Sequence, residues 1–284
     1  MVSAFSMCCG YYERTKSGGI SPDGFYRKRY IRILPYFAVL CLLDFAFEPG
    51  LETLYQVFAN LTLCFNLLPQ AHINVIGVGW FLGVIFLFYM LFPFFVFLID
   101  NKRRAWLALI LALLLVFIGI NGQFVAGEMN KENIIFCAPL FILGGIIYLY
   151  RKHIAQFGKR HSYICASLTI VLTMCYFVFR NTLHGLSAYM VEALLFALWL
   201  AYAVGSKDVV LKNRVVGYLS GISMEIYLAH MVFYRVVEKV HLERFTHQTD
   251  MLYIVTCLLT IVSVICFAHI MKYVVLKRIL VQYK

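Results

Sequence analysis

The sequence predicts an all-α, multi-pass integral membrane bundle of eight full spans plus a truncated N-terminal one. Composition is the first reason: 62% of the 284 residues are apolar or aromatic and only 14% are charged. A soluble domain sits nearer half apolar and a quarter charged. A globule of this size could not bury such an excess, and a mean hydropathy of +0.81 agrees. The second reason is the recurrence of apolar runs long enough to cross a hydrocarbon core, which takes roughly 20 helical residues. The third is the sorting of basic residues into alternate loops. Together these exclude a soluble enzyme, a disordered regulator and a nucleic-acid module, and they leave one membrane-embedded domain over residues 1–284.

The chain opens in an apolar stretch, Met1 to Tyr12, with no basic leader and no small-residue cleavage site. It is too short to span and reads as the tail of a longer helix. Eight spans follow: Ile33 to Phe47, Val78 to Ile99, Ala105 to Gly122, Ile134 to Tyr150, Tyr163 to Phe179, Leu186 to Val204, Val216 to Val236 and Met251 to Leu276. A further run, Leu54 to Leu68, carries Gln56, Asn60, Thr62 and Asn66. It is short and polar for a span, so it reads as interfacial or re-entrant.

With the stub crossing inward and the spans alternating, 20 of the 25 Lys and Arg residues face the cytoplasm. They are Arg14, Lys16, Arg27, Lys28, Arg29, Arg32, Lys102, Arg103, Arg104, Arg151, Lys152, Lys159, Arg160, Lys207, Lys212, Arg214, Lys272, Lys277, Arg278 and Lys284. Lys131, Arg180, Arg235, Lys239 and Arg244 fall on the other side. This positive-inside bias places the C-terminus in the cytoplasm and accounts for the net charge of +11 without a polyanionic partner. The nine cysteines form no C-x-x-C pair, and most lie in apolar runs as small hydrophobes.

Three stretches could carry chemistry. In Phe25-Tyr-Arg-Lys-Arg-Tyr-Ile-Arg-Ile-Leu-Pro35-Tyr, a helix would set Arg29 and Arg32 on one face. Paired guanidinium forks suit phosphate oxygens, although a topogenic anchor would look the same. Pro35 restricts Leu34 and predicts an elbow there. Around Ser220-Gly-Ile-Ser-Met-Glu-Ile-Tyr-Leu-Ala-His230, helical spacing aligns Ser220, Ser223, Tyr227, His230 and Tyr234 in a polar stripe, with Glu225 opposite. His230 could act as base, acid or donor, or the stripe could be interhelical glue. Glu225 is an intramembrane carboxylate that needs a partner. The third stretch, Gly79-Trp80 to Pro93, sets Trp80 at an interface and Tyr89 deeper, as packing would. The histidines show no metal-ligand spacing, so no metal site is expected.

These three stretches, in this order, resemble the acyltransferase 3 family. The matching elements are R-x-x-R-I-L-P-Y (Arg29 to Tyr36), W-F-L…F-Y-x-L-F-P (Trp80 to Pro93) and I-S-x-E-I-Y-L-A-H (Ile222 to His230). Phe5-Ser-Met-Cys-Cys-Gly10-Tyr and Leu140-Phe-Ile-Leu-Gly-Gly145 are similar as well. The resemblance implies a cell-membrane acyltransferase, transferring groups other than aminoacyl groups. The donor would be acyl-CoA, often acetyl-CoA, serving as a substrate with no permanently bound cofactor. The acceptor would be a hydroxyl of a carbohydrate or glycolipid, as in O-acetylation and polysaccharide modification. By the same resemblance Arg29 and Arg32 engage the CoA phosphates, and His230 is an expected residue. Ser223, Glu225 and Tyr227 would form an intramembrane polar site. The family's main catalytic histidine belongs to a first helix that would precede Met1. Ile85, Phe86 and Leu87 stand where wall-modifying relatives carry acidic and Gln residues, which disfavours peptidoglycan as acceptor. The alternatives are a flippase or permease for a glycolipid or polar solute, and an inactive fragment of the acyltransferase.

Overall fold

A computed structural model describes residues 1–67, 77–122, 132–206, 213–240 and 249–276. Lys131, Lys207, Lys212, Arg244, Lys277, Arg278 and Lys284 lie outside the described residues, as do His72, His241 and His247. The described residues form eleven α-helices and no strand. The helices are α1 (Val2–Lys16), α2 (Pro22–Phe47), α3 (Leu51–Leu61), α4 (Gly79–Ile99), α5 (Lys102–Asn121), α6 (Ile134–Arg160), α7 (Ser162–Phe179), α8 (Gly185–Gly205), α9 (Arg214–Gly221), α10 (Ser223–Glu238) and α11 (Thr249–Ile270). Seven helices are long and apolar enough to cross a membrane, or eight if the bent pair α9 and α10 counts as one span. Each of the eight predicted apolar runs falls on one of them, and the chain is a multi-pass membrane protein.

Asparagines begin three of these helices. Asn101, Asn133 and Asn213 accept from the amides of Arg103, Ile135 and Val216, each at 2.8 Å. Each bond satisfies one of the four amides that a helix start leaves without an intrahelical acceptor.

The chain divides into two compact units. The first comprises residues 1–24 and 87–211 and is organised on α6. Its Gly-Gly pair explains why α6 can serve as a hub. A Cβ at Gly144 would lie 2.3 Å from the Met1 carbonyl oxygen of α1, and one at Gly145 would lie 2.6 Å from the Phe95 ring. Side-chain-free positions thus admit α1 on one flank and the end of α4 on another. Phe141 fills the adjoining space, stacked on Phe88 with centroids 4.2 Å apart. Farther along, Gly158 and Gly205 bring α6 and α8 together backbone to backbone. Polar stitches complete the unit: Tyr189 donates to the Phe136 carbonyl (2.8 Å), Trp199 to Thr173 (3.0 Å) and Tyr176 to Glu192 (2.7 Å). At one end Lys16 of α1 pairs with Asp100, and Lys102 lies over the Tyr150 ring at 4.7 Å. Arg104 also approaches Asp100, at 3.8 Å. The outward faces of α5, α7 and α8 remain apolar and exposed, as lipid-facing helices should be.

The second unit comprises residues 25–86 and 212–284. In it α10 packs on α11, with the Phe233 and Phe267 rings 5.0 Å apart, and α2 joins them through Tyr36 and Phe267. Pro35 lies inside α2, so the elbow expected there falls within one continuous helix from Pro22 to Phe47. A proline removes one backbone bond, which a packed membrane helix tolerates. The predicted span Val216 to Val236 is not one straight helix; it bends by 64° at Ile222, between α9 and α10.

Candidate functional site

The arginine and histidine blocks meet the start of the tryptophan block, Trp80 to Phe86, in the second unit. Tyr36, which ends the arginine block on α2, is fully buried and donates to the backbone carbonyl of Glu225 at 2.8 Å. Phe81, from the tryptophan block on α4, lies 4.7 Å from the ring of Tyr227 on α10. Phe86 lies 4.7 Å from the ring of Tyr30 on α2. Aromatic edges and one buried hydroxyl thus fix the relative depth of α2, α4 and α10.

Arg29 and Arg32 lie on α2 as expected, three residues apart, but in different surroundings. Arg29 is buried, its guanidinium carbon 5.6 Å from the centre of the Phe25 ring. Arg32 is exposed. A desolvated guanidinium beside an aromatic face and a solvated one nearby give one anchored fork and one accessible fork.

The bend at Ile222 organises the other polar residues. It divides the predicted stripe, so that Ser220 ends up on α9 while Ser223, Tyr227, His230 and Tyr234 stay on α10. A break frees backbone carbonyls that must find donors in lipid. The Lys272 ammonium, in the π-helical turn that follows α11, donates to the Gly221 carbonyl, and the Ser223 hydroxyl donates to that of Ser220 at 3.0 Å. The ammonium also stands 3.7 Å from Oε1 of Glu225, which is 4% exposed and whose Oε2 has no hydrogen-bond partner among the described residues. The partner that Glu225 requires is therefore Lys272, 47 positions downstream, a spacing no sequence pattern connects.

His230 is half-buried, and its Nδ1 bonds the Tyr227 carbonyl one turn back. A carbonyl oxygen only accepts, so Nδ1 is the nitrogen that carries a proton in this contact, and in the neutral ring Nε2 holds the lone pair. That is the tautomer a base needs at Nε2. Ser223 is exposed, Tyr227 half-buried and Glu225 buried. The two faces of α10 therefore separate as the helical spacing indicates.

Further polar residues of this unit had a sequence signal that went unused. Asp44 is buried in α2 and accepts from the Arg235 guanidinium of α10 at 2.8 Å. A carboxylate within so apolar a helix already asks for a partner. Asn60 and Asn66 explain why the short segment around α3 is polar. Asn66 donates to the Trp80 carbonyl at 2.9 Å, and a Cβ at Gly79 would come within 2.8 Å of the buried Asn60 Oδ1. Their amides face α4, so the segment is a cap folded on protein. Among the described residues no group of three His, Cys, Asp or Glu side chains could hold a metal ion.

The family described as an acyltransferase domain matches residues 1–271, whereas no curated protein and no solved structure matches the chain. A match over nearly the whole length settles the membership: the chain belongs to the acyltransferase 3 family.

Proposed function

We propose that this membrane acyltransferase moves an acyl group, acetyl first among them, from acyl-CoA to a hydroxyl of a carbohydrate or glycoconjugate. The observation that carries the reading is the joining of the arginine and histidine blocks through Tyr36 and Glu225, with Phe81 at the start of the tryptophan block against Tyr227. In this reading Arg32 offers its accessible fork to the CoA phosphates and Arg29 supports it from behind Phe25. The acceptor O–H bond breaks as a base takes the proton, and the oxygen bonds to the thioester carbon. The C–S bond then breaks, and the departing thiolate takes up a proton to leave as free CoA. His230, with Nε2 available, assists from α10, and low local dielectric strengthens any donor aimed at the developing oxyanion. The basic loops and the C-terminus face the cytoplasm, where the donor is found.

The test is thiol release from acetyl-CoA by the purified full chain in phosphatidylethanolamine and phosphatidylglycerol vesicles, with a panel of saccharide acceptors. Release is expected with at least one acceptor and should fall in Arg29→Ala plus Arg32→Ala. Release unaffected by that double change would defeat the docking assignment. Tyr30→Cys, with the exposed Cys9, Cys175 and Cys266 replaced, should react with a membrane-impermeant thiol reagent only from the cytoplasmic side.

One observation favours a second reading, a permease or flippase for a glycolipid or polar solute. Transporters place substrates at discontinuous helices, and the α9–α10 break carries a buried carboxylate. Movement of a labelled glycolipid between leaflets with no CoA consumed would select that reading.

A further inference from the structure

Helix α3 turns its polar side to the protein and its apolar side outward. Leu51, Leu54, Tyr55 and Phe58 recur at i, i+3, i+4 and i+7, so they share one face. They are 88%, 50%, 70% and 68% exposed. The opposite face carries Thr53, Gln56, Val57 and Asn60, each buried or half-buried. Asn60 is wholly buried; its amide donates to the Gln56 carbonyl at 2.9 Å, and its Oδ1 lies against Gly79. A helix on a water-facing surface has the reverse arrangement, with apolar residues on the core and polar ones in solvent. In water α3 would present four large apolar side chains as one patch, which soluble surfaces avoid.

Both ends of α3 are tied to the boundary of a span. Helices α2 and α4 are each long and apolar enough to cross a membrane. Only Glu48, Pro49 and Gly50 separate the last residue of α2 from Leu51, so α3 starts no more than about 14 Å beyond the end of that span. Charged groups mark the level: Glu48 is exposed, and the exposed Lys239 sets its ammonium 4.5 Å from the centre of the Phe47 ring. At the other end Asn60 meets Gly79, and Asn66, just past α3, donates to the Trp80 carbonyl at 2.9 Å. Gly79 and Trp80 are the first two residues of α4. A helix held where one span ends and the next begins runs along the boundary and not through the bilayer. Its exposed face also continues a lipid-facing one, since Leu42 and Leu43 are exposed near the end of α2.

We propose that α3 is an in-plane helix whose Leu51, Leu54, Tyr55 and Phe58 face is immersed in the acyl chains of the bilayer, in the leaflet away from the Arg29 and Arg32 end of α2. So placed, α3 roofs the first turn of α4 and keeps the amides of Asn60 and Asn66 out of hydrocarbon, where polar groups are costly. The partner of this surface is lipid, and the proposal does not depend on the reaction assigned above.

The experiment is a spin-label scan of the purified full chain in phosphatidylethanolamine and phosphatidylglycerol vesicles. In a background with the exposed Cys9, Cys175 and Cys266 replaced, one nitroxide at a time is attached at Leu51→Cys, Leu54→Cys, Tyr55→Cys and Phe58→Cys. Glu48→Cys serves as the aqueous reference. All four positions are exposed, so the label needs no repacking. Collisions with dissolved oxygen should exceed those with a neutral nickel chelate at each of the four, and the reverse should hold at Glu48. The four depths should lie roughly 5–10 Å inside the headgroup boundary. Nickel access at Tyr55 and Phe58 equal to that at Glu48 would put the face in water and overturn the proposal. Protection from both reagents would mean that protein, a second copy of the chain, covers it, which overturns the proposal too. So would a depth that increases by about 10 Å from Leu51 to Phe58, the signature of a helix plunging into the bilayer.

Discussion

The hydroxyl of Tyr36 and the backbone carbonyl of Glu225, 189 positions apart, form a buried hydrogen bond of 2.8 Å. It links the last residue of the arginine block to the first turn of the helix that carries His230. Tyr36→Phe keeps the ring and removes the bond. The expected loss is about 0.5–1.5 kcal/mol of stability, read as a lower unfolding temperature in detergent. Thiol release should fall by more than the unfolded fraction accounts for, since the depth of α10 against α2 is set there. Unchanged release in a destabilised Tyr36→Phe would mean that the contact holds the fold and not the site.

Lys272 and Glu225 should behave as a coupled pair. Glu225→Gln removes a buried charge but leaves the ammonium its Gly221 carbonyl. Lys272→Met strands both the carboxylate and that carbonyl, so it is expected to be the more harmful single change. A double-mutant cycle on unfolding should return a coupling of roughly 0.5–3 kcal/mol. Additive effects would show that the 3.7 Å approach has no energetic content.

Glycines give a prediction with its own internal control. Gly158→Val must displace the Gly205 backbone, 2.6 Å from the new Cβ. Overpacking of this kind costs about 1–3 kcal/mol or more. Gly217, on α9, has nothing within 4 Å of a built Cβ. There Ala should be neutral or stabilising by up to about 1 kcal/mol through helix propensity. Paired thermal melts of the two variants check both signs at once.

How far the sequence revealed this molecule depends on the range of each interaction. The helices were legible because each is a local run of apolar residues whose period and length the membrane dictates. The cap role of the α3 segment was half legible: Asn60 and Asn66 marked it as unfit for lipid, while the glycines that receive them, Gly79 and Gly83, lie 17 or more residues on. The bend at Ile222 was hidden because its sequence, Leu-Ser-Gly-Ile-Ser, is compatible with a continuous helix. What stabilises it is Lys272 from another helix end. Arg29 and Arg32 illustrate the same limit. Spacing put them on one side of α2, but burial of one and exposure of the other depends on the packing of Phe25 and its neighbours.

The Lys16–Asp100 pair, outside the spans, gives a pH dependence with a definite sign. The hydrogen bond from Lys16 holds the Asp100 carboxyl below its ordinary 3.8. Its stabilising contribution is therefore complete above about pH 4 and is lost as pH falls through the depressed value. The bond to Asp100 raises Lys16 above its ordinary 10.5. That contribution is complete below that pH and is lost as pH rises through the elevated value. Stability should be flat between these limits, and both groups are solvent-exposed, so the effect should be small and weaken with salt. Melting curves of Asp100→Asn against the unaltered chain, at low and high ionic strength, should converge at acid pH and separate slightly at neutral pH.

The contrast between Arg29 and Arg32 separates binding from support. Arg32 is exposed and free of a structural burden, so Arg32→Ala should fold normally. A charge-assisted phosphate contact is worth about 1.5–3 kcal/mol, which corresponds to roughly 10- to 150-fold in KM for the acyl-CoA donor with kcat little changed. Arg32→Lys keeps the charge but loses the fork and should recover only part of the loss. Arg29→Ala opens space beside Phe25 and removes a buried cation, so it should lower the unfolding temperature as well as the rate. Steady-state kinetics at varied acyl-CoA, together with melts of all three variants, decide the matter. A KM that does not move in Arg32→Ala would remove that residue from the donor site, and a stable Arg29→Ala would deny Arg29 its anchoring role.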